Sequence, residues 1–410
     1  MVKTKFIQTD IGLIPQDWEV KEMLEIISEI SMGPFGSDIK VSNFVNKGVP
    51  VLNGYNISGI KLKERYSNFV TVEKAKSLKK AVAKRGDIIV THRGTIGQMA
   101  YIPEDSSFEE YVISQSQFRF STNKMVLYEF VVLFFHSDKG QNIILESKGH
   151  TGVPAIAQAT TTFKKFQIPI PPLSEQLAIS KVLSDTNIWI ESLEKLIFKK
   201  QLIKQSVMQK LLIPKENWEV RKLGEMVTLI KSGGTPLSSI REYYNGEIPF
   251  LSISDMTEQG KYLNSTSNYI SQKGLDNSAS WLVPVDSIIY SMYASVGLVS
   301  INKIELATSQ AVLNIIFKKE YDLEYLYYYL TSIREDILKY VGEGTQKNLN
   351  AQAIKDFDIL FPKKDEQTYI AKILSDMDTE IEALKGKLVK ANQIKQGLMQ
   401  ELLTGRIRLI

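Results

Sequence analysis

The chain contains the stretch Ile14-Pro-Gln-Asp-Trp-Glu-Val20 and the similar stretch Ile213-Pro-Lys-Glu-Asn-Trp-Glu-Val220. Their tryptophans, Trp18 and Trp218, are 200 positions apart. The glycines Gly97 and Gly297 are separated by the same 200 positions. Repeats of solenoid proteins recur at roughly 20 to 50 residues, so a repeat of about 200 residues is too long for a solenoid. The sequence therefore predicts two copies of one larger module, each a globular segment followed by a helix.

A second motif marks the later part of each copy. Glu175-Gln176 and Leu183-Ser-Asp185 return as Glu366-Gln367 and Leu374-Ser-Asp376, now 191 positions later. The change of offset from 200 to 191 means that the middle of the second copy is nine residues shorter. The two copies are therefore alike at their ends and differ in the middle.

The motif opens a segment that predicts a long amphipathic helix in each copy. In the second copy, apolar residues recur at alternating spacings of four and three, as in a coiled coil: Ile370, Leu374, Met377, Ile381, Leu384, Leu388 and Ala391. The first copy has the same stripe with two polar interruptions: Ile179, Leu183, Thr186, Ile190, Leu193, Ile197 and Lys200. Because a lone rod cannot bury its stripe, we predict that the two helices pair antiparallel. The alternative is that each helix packs independently on its own domain.

Prolines mark where the first helix begins. Ile168-Pro-Ile-Pro-Pro172 forces an extended lead-in, and Ser174 can then cap the helix, because proline is excluded from a helix interior. In the second copy Pro362 stands alone before Asp365.

The globular part of each copy predicts a strand that runs into a glycine-containing loop. The strands are Gly86-Asp-Ile-Ile-Val90 and Asp286-Ser-Ile-Ile-Tyr290. The loops that follow are Thr91-His-Arg-Gly-Thr-Ile-Gly97 and Ser291-Met-Tyr-Ala-Ser-Val-Gly297. Glycine allows close approach of another backbone, so such a loop suits a recognition surface. A tight hairpin is the structural alternative.

Together these patterns predict an α+β fold with a pseudo-twofold tandem repeat. Two similar mixed domains, residues 1–165 and 213–356, are separated by two long helices, residues 166–212 and 357–410, which pair as an antiparallel coiled coil.

Composition limits the class of protein. The 410 residues are 43% hydrophobic, and no apolar run approaches the roughly 18 residues of a membrane span. There is no cysteine and no amino-terminal signal pattern, from which we expect a cytoplasmic protein without disulfides or thiolate metal sites. The net charge is only +4, so contact with a polyanion must be local.

The ordered set of motifs resembles the specificity subunit of type I restriction-modification systems over nearly the whole chain. The set comprises the tandem repeat, the Pro-Pro-x-x-Glu-Gln helix start, the Leu-Ser-Asp helices and Gly33-Pro-Phe-Gly-Ser37. The second copy departs from it with Ser232-Gly-Gly-Thr-Pro236 and with its single proline.

The resemblance implies that each globular half is a target recognition domain for one half of a split DNA site. It also implies that the helices dock two methyltransferase subunits, which hold the S-adenosylmethionine, and that motor-nuclease subunits join them for restriction. Independently of the family, two similar but nonidentical domains suit an asymmetric bipartite sequence, whereas identical domains suit a palindrome.

Candidates for DNA contact are side chains that can pair with base edges, such as Arg with guanine or Gln with adenine. Near the loops these are His92, Arg93, Thr95, Gln115, Gln117 and Lys148 in the first copy and Ser291, Tyr293, Ser295, Gln310, Gln346 and Lys347 in the second. The alternative is that each of these side chains merely faces water, and Tyr293 could instead be a ring of the core. Many contacts to DNA also go to phosphate rather than to bases.

Other features have simpler explanations. A basic run could hold phosphate, but a solvated helix face explains it as well, and the second copy lacks it: Lys74, Lys76, Lys79, Lys80, Lys84 and Arg85. The aromatic clusters around Phe134 and Tyr328 predict core packing. The three histidines are not spaced as metal ligands, and we expect no metal site. Trp189 is a candidate for partner docking, or else completes the heptad seam.

Catalytic motifs are missing from the sequence. It has no phosphate-binding loop, no His-Glu-x-x-His and no Gly-x-Ser-x-Gly. Pro171-Pro172 is flanked by Ile170 and Leu173, so the Asn/Asp-Pro-Pro-aromatic motif is absent too. We therefore expect no enzymatic activity from this chain alone.

Two alternatives from other classes remain at this point. A scaffold would use the globular ends to bind proteins and would need neither sequence preference nor salt sensitivity. A self-contained nuclease would need a carboxylate metal cluster, whereas Asp376 and Asp378 lie on the predicted helix as solvated charges.

Overall fold

The computed structural model describes residues 5–147, 155–292, 296–334 and 351–409. The chain forms two compact units. Unit 1 comprises Met1–Leu193 and Lys387–Ile410, and unit 2 comprises Glu194–Gly386. Each unit therefore contains one globular domain together with a part of each long helix.

Unit 1 is built mainly from short strands. They are β1 (Phe6–Thr9), β2 (Gly12–Pro15), β3 (Glu19–Glu22), β4 (Ile27–Met32), β5 (Val49–Pro50), β6 (Phe69–Val70), β7 (Val82–Lys84), β8 (Ile88–Thr91), β9 (Met99–Tyr101), β10 (Glu110–Val112), β11 (Gln117–Thr122) and β12 (Gln167–Ile170). The helices are α1 (Met23–Ile26), α2 (Val72–Ser77), α3 (Tyr128–His136), α4 (Asp138–Glu146), α5 (Ala159–Lys164) and α6 (Leu173–Leu211).

The central sheet of unit 1 is antiparallel, with the strand order β4-β11-β8-β9. Successive side chains of a strand point to opposite faces, and here both faces are covered. Ile88 and Val90 pack in a core with Phe134 of α3, whereas Ile89 packs in a second core with Tyr111. Burial on both faces explains why β8 is apolar from Ile88 to Val90.

Unit 2 contains the strands β13 (Glu219–Lys222), β14 (Val227–Ser232), β15 (Tyr244–Leu251), β16 (Tyr262–Leu263), β17 (Asn268–Ile270), β18 (Leu282–Val283), β19 (Ile288–Ser291), β20 (Val299–Asn302), β21 (Leu306–Thr308), β22 (Val312–Phe317) and β23 (Asp358–Phe361). Its helices are α7 (Leu223–Met226), α8 (Ile253–Gln259), α9 (Gln272–Asp276), α10 (Leu323–Ser332), α11 (Ala351–Lys355) and α12 (Lys364–Leu402).

The strand order of unit 1 recurs in unit 2. The sheet β14-β22-β19-β20-β16 repeats β4-β11-β8-β9 and adds β16 in parallel beside β20. A second sheet has the order β17-β15-β21-β18. The pair β13–β23 repeats the pair β3–β12. The predicted tandem duplication of a mixed α and β domain is thus confirmed.

The two repeated sequence motifs meet in unit 1. Trp18 Nε1 donates a hydrogen bond to Glu175 Oε2 at 3.0 Å, and Glu175 is fully buried. Arg408 Nε donates to Glu175 Oε1 at 2.7 Å, and its two terminal nitrogens donate to the carboxylate of Asp17 at 2.9 and 2.6 Å. The carboxyl-terminal residues are therefore held against the start of α6 by charge-assisted bonds.

The glutamine of the Glu-Gln motif has the same contacts in both units. In unit 1, Gln176 Oε1 accepts from Leu127 N at 2.9 Å and its Nε2 donates to Pro171 O at 2.8 Å. In unit 2, Gln367 Oε1 accepts from Asp322 N at 2.9 Å and its Nε2 donates to Pro362 O at 2.9 Å. This buried amide fixes the start of each long helix to the residue that precedes α3 or α10.

Helices α6 and α12 each contain 39 residues. Most of the predicted stripe is buried, as expected: Ile179, Leu183, Ile190, Leu193 and Ile197 in α6, and Ile370, Leu374, Ile381, Leu384 and Ala391 in α12. In unit 2, Lys200 pairs with Glu380 at 2.6 Å and Lys204 pairs with Asp378. Moving forward along α6 therefore means moving backward along α12. The predicted antiparallel pairing is confirmed within the unit.

The alternative of packing on the domain also holds for the first turns of each helix. Ile179 and Leu183 lie in the same core as Phe130 of the domain and Leu402 of α12. Leu374 lies in a core with Tyr325 and Leu212 in unit 2. Within the described ranges, no helix is both long enough and apolar enough to cross a membrane.

Candidate nucleic-acid interface

Several loops meet at one edge of the central sheet of unit 1. Because neighbouring strands are antiparallel, the ends of β4 and β8 lie beside the starts of β9 and β11. The register pairs Met32 with Phe118 and Thr91 with Gln117. We call residues 33–37, 92–98 and 113–116 the loop edge of unit 1.

The loop after β8 is a tight hairpin, as the structural alternative predicted. Thr91 N donates to Gln98 O at 2.9 Å, and Gly97 N donates to Thr91 O at 3.2 Å. Gly97 has φ +85°, a conformation that favours glycine. The hairpin leaves Arg93 and Thr95 exposed at its tip, where Thr95 Oγ1 donates to Gln98 Oε1 at 2.8 Å. The same loop therefore combines a tight turn with accessible polar side chains.

His92 is half-buried at the base of the hairpin. Its Nε2 lies 3.3 Å from Gln115 O, and its backbone N donates to Ser116 O at 3.0 Å. Burial lowers the pKa of His92, the positive charge of Arg93 acts in the same direction, and the bond to the Gln115 carbonyl opposes both. The ring is therefore mainly neutral at pH 7 and joins the hairpin to the neighbouring turn.

The glycine-rich loop after β4 lies directly against this turn. Gly33 N donates to Gln117 O at 2.8 Å, and a Cβ on Gly33 would lie 2.0 Å from Ser114 O. A Cβ on Gly36 would lie 2.5 Å from Gln115 Oε1. Two motifs that are about 80 residues apart in the sequence thus form one surface, on which Phe35 is 81% exposed.

A further segment joins the loop edge. Ile156 N donates to His92 O at 2.9 Å, and Ala155 forms an antiparallel bridge with Arg93. Lys148 lies outside the residues that the structure describes, as do Tyr293, Ser295, Gln346 and Lys347 of the second copy.

Gln117 does not occupy the exposed position that its sequence context suggested. Its side chain is 1% exposed, because it starts β11 beside Thr91, and its Oε1 accepts from Ser114 N at 2.9 Å. Gln115, two residues earlier, is exposed. In this turn the two glutamines therefore have different roles: Gln117 holds the backbone, and Gln115 faces solvent.

Unit 2 builds a corresponding loop edge from residues 233–236, 309–311 and the described part of 292–298. Gly234 N donates to Thr308 O at 3.0 Å, and a Cβ on Gly233 would lie 1.9 Å from that oxygen. The exposed Gln310 accepts a hydrogen bond at its Oε1 from Thr235 Oγ1 at 2.7 Å. The glycine pair after β14 thus has the same role as Gly33.

Ser291 differs from its predicted place as an exposed contact. It is completely buried, because it ends β19 opposite Val312. Its Oγ accepts from Leu298 N at 2.9 Å, and its carbonyl accepts from Gly297 N at 2.9 Å. Gly297 has φ +81°, matching Gly97 of unit 1. Ser291 therefore binds the backbone of Gly297 and Leu298, which lead into β20.

A buried ionic cluster that the sequence pattern does not reveal lies beneath the sheet of unit 1. Arg119 of β11 lies 3.3 Å from Asp87 Oδ2 and 2.5 Å from Glu29 Oε1. Burial raises the pKa of Asp87, although the bonds from Ser121 and the Lys84 backbone and the charge of Arg119 act against this. The pairing spans 90 positions between Glu29 and Arg119, so no local pattern could have predicted it.

The remaining candidates lie elsewhere. Arg85 donates to Ser106 O at 2.8 Å, and Lys84 pairs with Glu110 at 3.4 Å, so the end of the basic run has structural partners before β8 begins. The aromatic clusters around Phe134 and Tyr328 are buried, as predicted. Trp189 on α6 is 44% exposed, and the adjacent Ile190 occupies the buried seam position instead.

Among the described residues, no group of three or more His, Asp or Glu side chains is placed to hold a metal ion. The arrangement found at both loop edges is instead a surface of exposed polar side chains on glycine-shaped loops. Such a surface can form hydrogen bonds to a large ligand.

Comparison with known proteins gives a consistent result. The family model described as the type I restriction modification DNA specificity domain matches residues 15–200 and 215–393. A protein of Methanocaldococcus jannaschii, named provisionally as the type I restriction enzyme MjaX specificity subunit, is 29% identical over 426 residues, which cover 98% of this chain and 96% of that protein. The MjaIX specificity subunit of the same organism is 32% identical over 193 residues, which cover 46% of this chain and 43% of that protein.

The fold is also that of a solved relative. The crystal structure of the type I restriction-modification S subunit from M. genitalium aligns with a TM-score of 0.58 at 16% sequence identity, over 94% of this chain and 96% of that one. Since one family model matches both copies, the chain belongs to the DNA specificity subunits of type I restriction-modification systems.

Proposed function

We propose that this chain is a noncatalytic subunit that recognises an asymmetric, bipartite DNA sequence and positions two adenine-methyltransferase subunits on it. The observation that carries the proposal is the loop edge, which is built twice on the same strand order but with different side chains. Two domains with the same strand order but different loop side chains suit two half-sites of different sequence. The domain boundaries proposed are 1–165 and 213–356 for the target recognition domains, with 166–212 and 357–410 as spacer helices.

In this proposal the exposed residues of the loop edges contact bases or phosphates. Arg93, Thr95 and Gln115 serve the first half-site, and Gln310 serves the second. His92, being mainly neutral, contributes a hydrogen bond rather than a charge. The buried Gln117 and Ser291 act on DNA through the loops whose backbones they hold. Direct contact with DNA is also proposed for Lys148, Tyr293, Ser295, Gln346 and Lys347, which lie outside the described residues.

Catalysis and cofactor binding are assigned to partner subunits. The methyltransferases would hold S-adenosylmethionine, and motor-nuclease subunits would join the complex to cleave unmodified DNA. Trp189 supports a docking role for the helices, because an exposed tryptophan is typical of the anchors of protein interfaces. As its ligand is DNA, we place the complex in the cytoplasm.

The decisive experiment is co-expression with the methyltransferase encoded beside it, followed by single-molecule sequencing of genomic DNA to map methylated adenines. We expect methylation at one split, asymmetric motif. A stoichiometric complex that leaves no methylation motif and binds DNA without sequence preference would contradict the proposal and favour a protein scaffold.

A further inference from the structure

A buried lysine in unit 2 joins the second domain directly to α12 and, through further polar contacts, to α6. Lys261 lies just before β16, and its side chain is 11% exposed. Its Nζ lies 2.7 Å from the hydroxyl of Tyr328 on α10 and 3.0 Å from Ser375 Oγ on α12. It also forms an ion pair with Glu324 of α10. One ammonium group thus contacts three side chains on two helices, α10 and α12.

The contacts continue from Tyr328 to the other long helix. Tyr328 donates from its hydroxyl to Asp378 Oδ2 of α12 at 2.5 Å, and Asp378 pairs with Lys204 of α6. We call Lys261, Glu324, Tyr328, Ser375, Asp378 and Lys204 the lysine cluster. It contains two positive and two negative charges, so its members compensate one another away from water.

Aromatic rings enclose the ammonium group. Nζ of Lys261 lies 4.3 Å from the ring centre of Tyr328 and 5.3 Å from that of Tyr327. Burial lowers the pKa of Lys261, while the charges of Glu324 and Asp378 act in the opposite direction. A cation held by ring faces and by direct bonds has a defined position, unlike a flexible surface lysine.

Unit 1 has the same positions without the cluster. In unit 1 Tyr101 N donates to Ile60 O at 3.1 Å, as Ile301 N donates to Lys261 O at 2.7 Å in unit 2, which places Ile60 at the position equivalent to Lys261. Lys61 follows Ile60 and is the equivalent of Tyr262. Lys61 is exposed, and no described residue pairs with its ammonium group. The residue equivalent to Tyr328 is Leu133, and the one equivalent to Asp378 is Asn187. The cluster is thus a property of the second domain, and Lys61 supplies a control lysine of unit 1 that lies outside any such cluster.

We propose that Lys261 is a positioning residue that fixes the second target recognition domain on the two helices and so restricts the number of base pairs tolerated between the half-sites. This inference rests on the proposed recognition of a bipartite site. One additional base pair turns a half-site by about 35° and moves it by about 3.4 Å along the duplex. A domain whose polar contacts extend to two helices cannot follow such a displacement without breaking those contacts.

The test uses the complex with its methyltransferase and three duplexes, which carry the native gap or a gap one base pair longer or shorter. Methylation is measured as kcat and KM on each duplex. For Lys261→Met we expect the preference for the native gap in kcat/KM to fall about tenfold, which corresponds to about 1.4 kcal/mol. The sequences of both half-sites should remain required.

Two further variants make the result specific. Tyr328→Phe keeps the ring but removes the hydroxyl between Lys261 and Asp378, so it should relax the gap preference in the same direction even if Lys261→Met folds poorly. Lys61→Met makes the same substitution at an exposed lysine of unit 1 and should leave the gap preference unchanged. Thermal unfolding of each complex separates loss of fold from loss of positioning.

The outcomes distinguish the two proposals. If the wild-type complex shows no split site, the proposed function itself fails. If the wild type requires one gap length and both Lys261→Met and Tyr328→Phe require it equally strictly, the positioning role is overturned. An equal relaxation by Lys61→Met would also overturn it, because the effect would then be independent of the cluster.

Discussion

At the scale of single residues, the loop edge of unit 1 separates side chains that face solvent from side chains that hold the backbone. Arg93 is exposed at the tip of the hairpin, and Gln117 is buried beneath it. An arginine that reaches a guanine forms two hydrogen bonds with the base, whereas a lysine on phosphate contributes without regard to sequence.

Arg93→Ala is therefore expected to weaken binding of the target by about 1 to 3 kcal/mol and to relax the specificity at one base pair of the first half-site. The measurement is a binding titration with duplexes substituted at each position. Lys79→Ala, in the exposed basic run, should change affinity about equally for all sequences. Equal losses of Arg93→Ala on target and random DNA would instead assign Arg93 to phosphate.

A second residue-scale prediction concerns Arg408, whose guanidinium compensates the buried carboxylate of Glu175. The two carboxylates of Glu175 and Asp17 raise the pKa of Arg408, so it stays charged. Arg408→Ala leaves the Glu175 carboxylate buried without a partner cation, at a cost of about 3 to 5 kcal/mol. Hydrogen exchange of the amides of unit 1 reports this loss. Arg406→Ala, at an exposed neighbouring arginine, should have little effect.

At the scale of elements, the two long helices depend on a buried stripe of apolar residues that is evident in the sequence. Leu183→Ala removes a fully buried side chain from α6 and is expected to destabilise unit 1 by about 2 to 5 kcal/mol. Leu177→Ala makes the same change in the same helix at a position that is 62% exposed, and should alter stability by about 0.5 kcal/mol or less. Denaturant unfolding compares the two, and equal losses would contradict the seam described for α6.

The helices and the strands β8 and β19 could be predicted because their signals are local. The stripe of α12 repeats within a few residues, and the run from Ile288 to Tyr290 is apolar. The burial of Gln117 and Ser291 could not be predicted, because it depends on their register with Thr91 and Val312 on other strands. The contact of Gly33 with Ser114 likewise joins two motifs whose proximity only the sheet creates.

At the scale of the whole molecule, the two domains are expected to act as separate recognition modules. Replacing residues 1–165 by the corresponding segment of a relative should change one half-site and leave the other unchanged, because each loop edge is built within its own unit. Methylation mapping of the chimera checks this. A change in both half-sites would show that recognition is not modular.

The repeated strand order also has an evolutionary consequence. Because Gly97 and Gly297 have matching left-handed conformations after β8 and β19, we expect substitutions in the loops to leave the hydrophobic cores beneath them intact. Under the proposed function, a lineage would acquire a new methylation pattern by substitutions in one loop edge, or by exchanging one copy between genes, while its descendants inherit an unaltered scaffold.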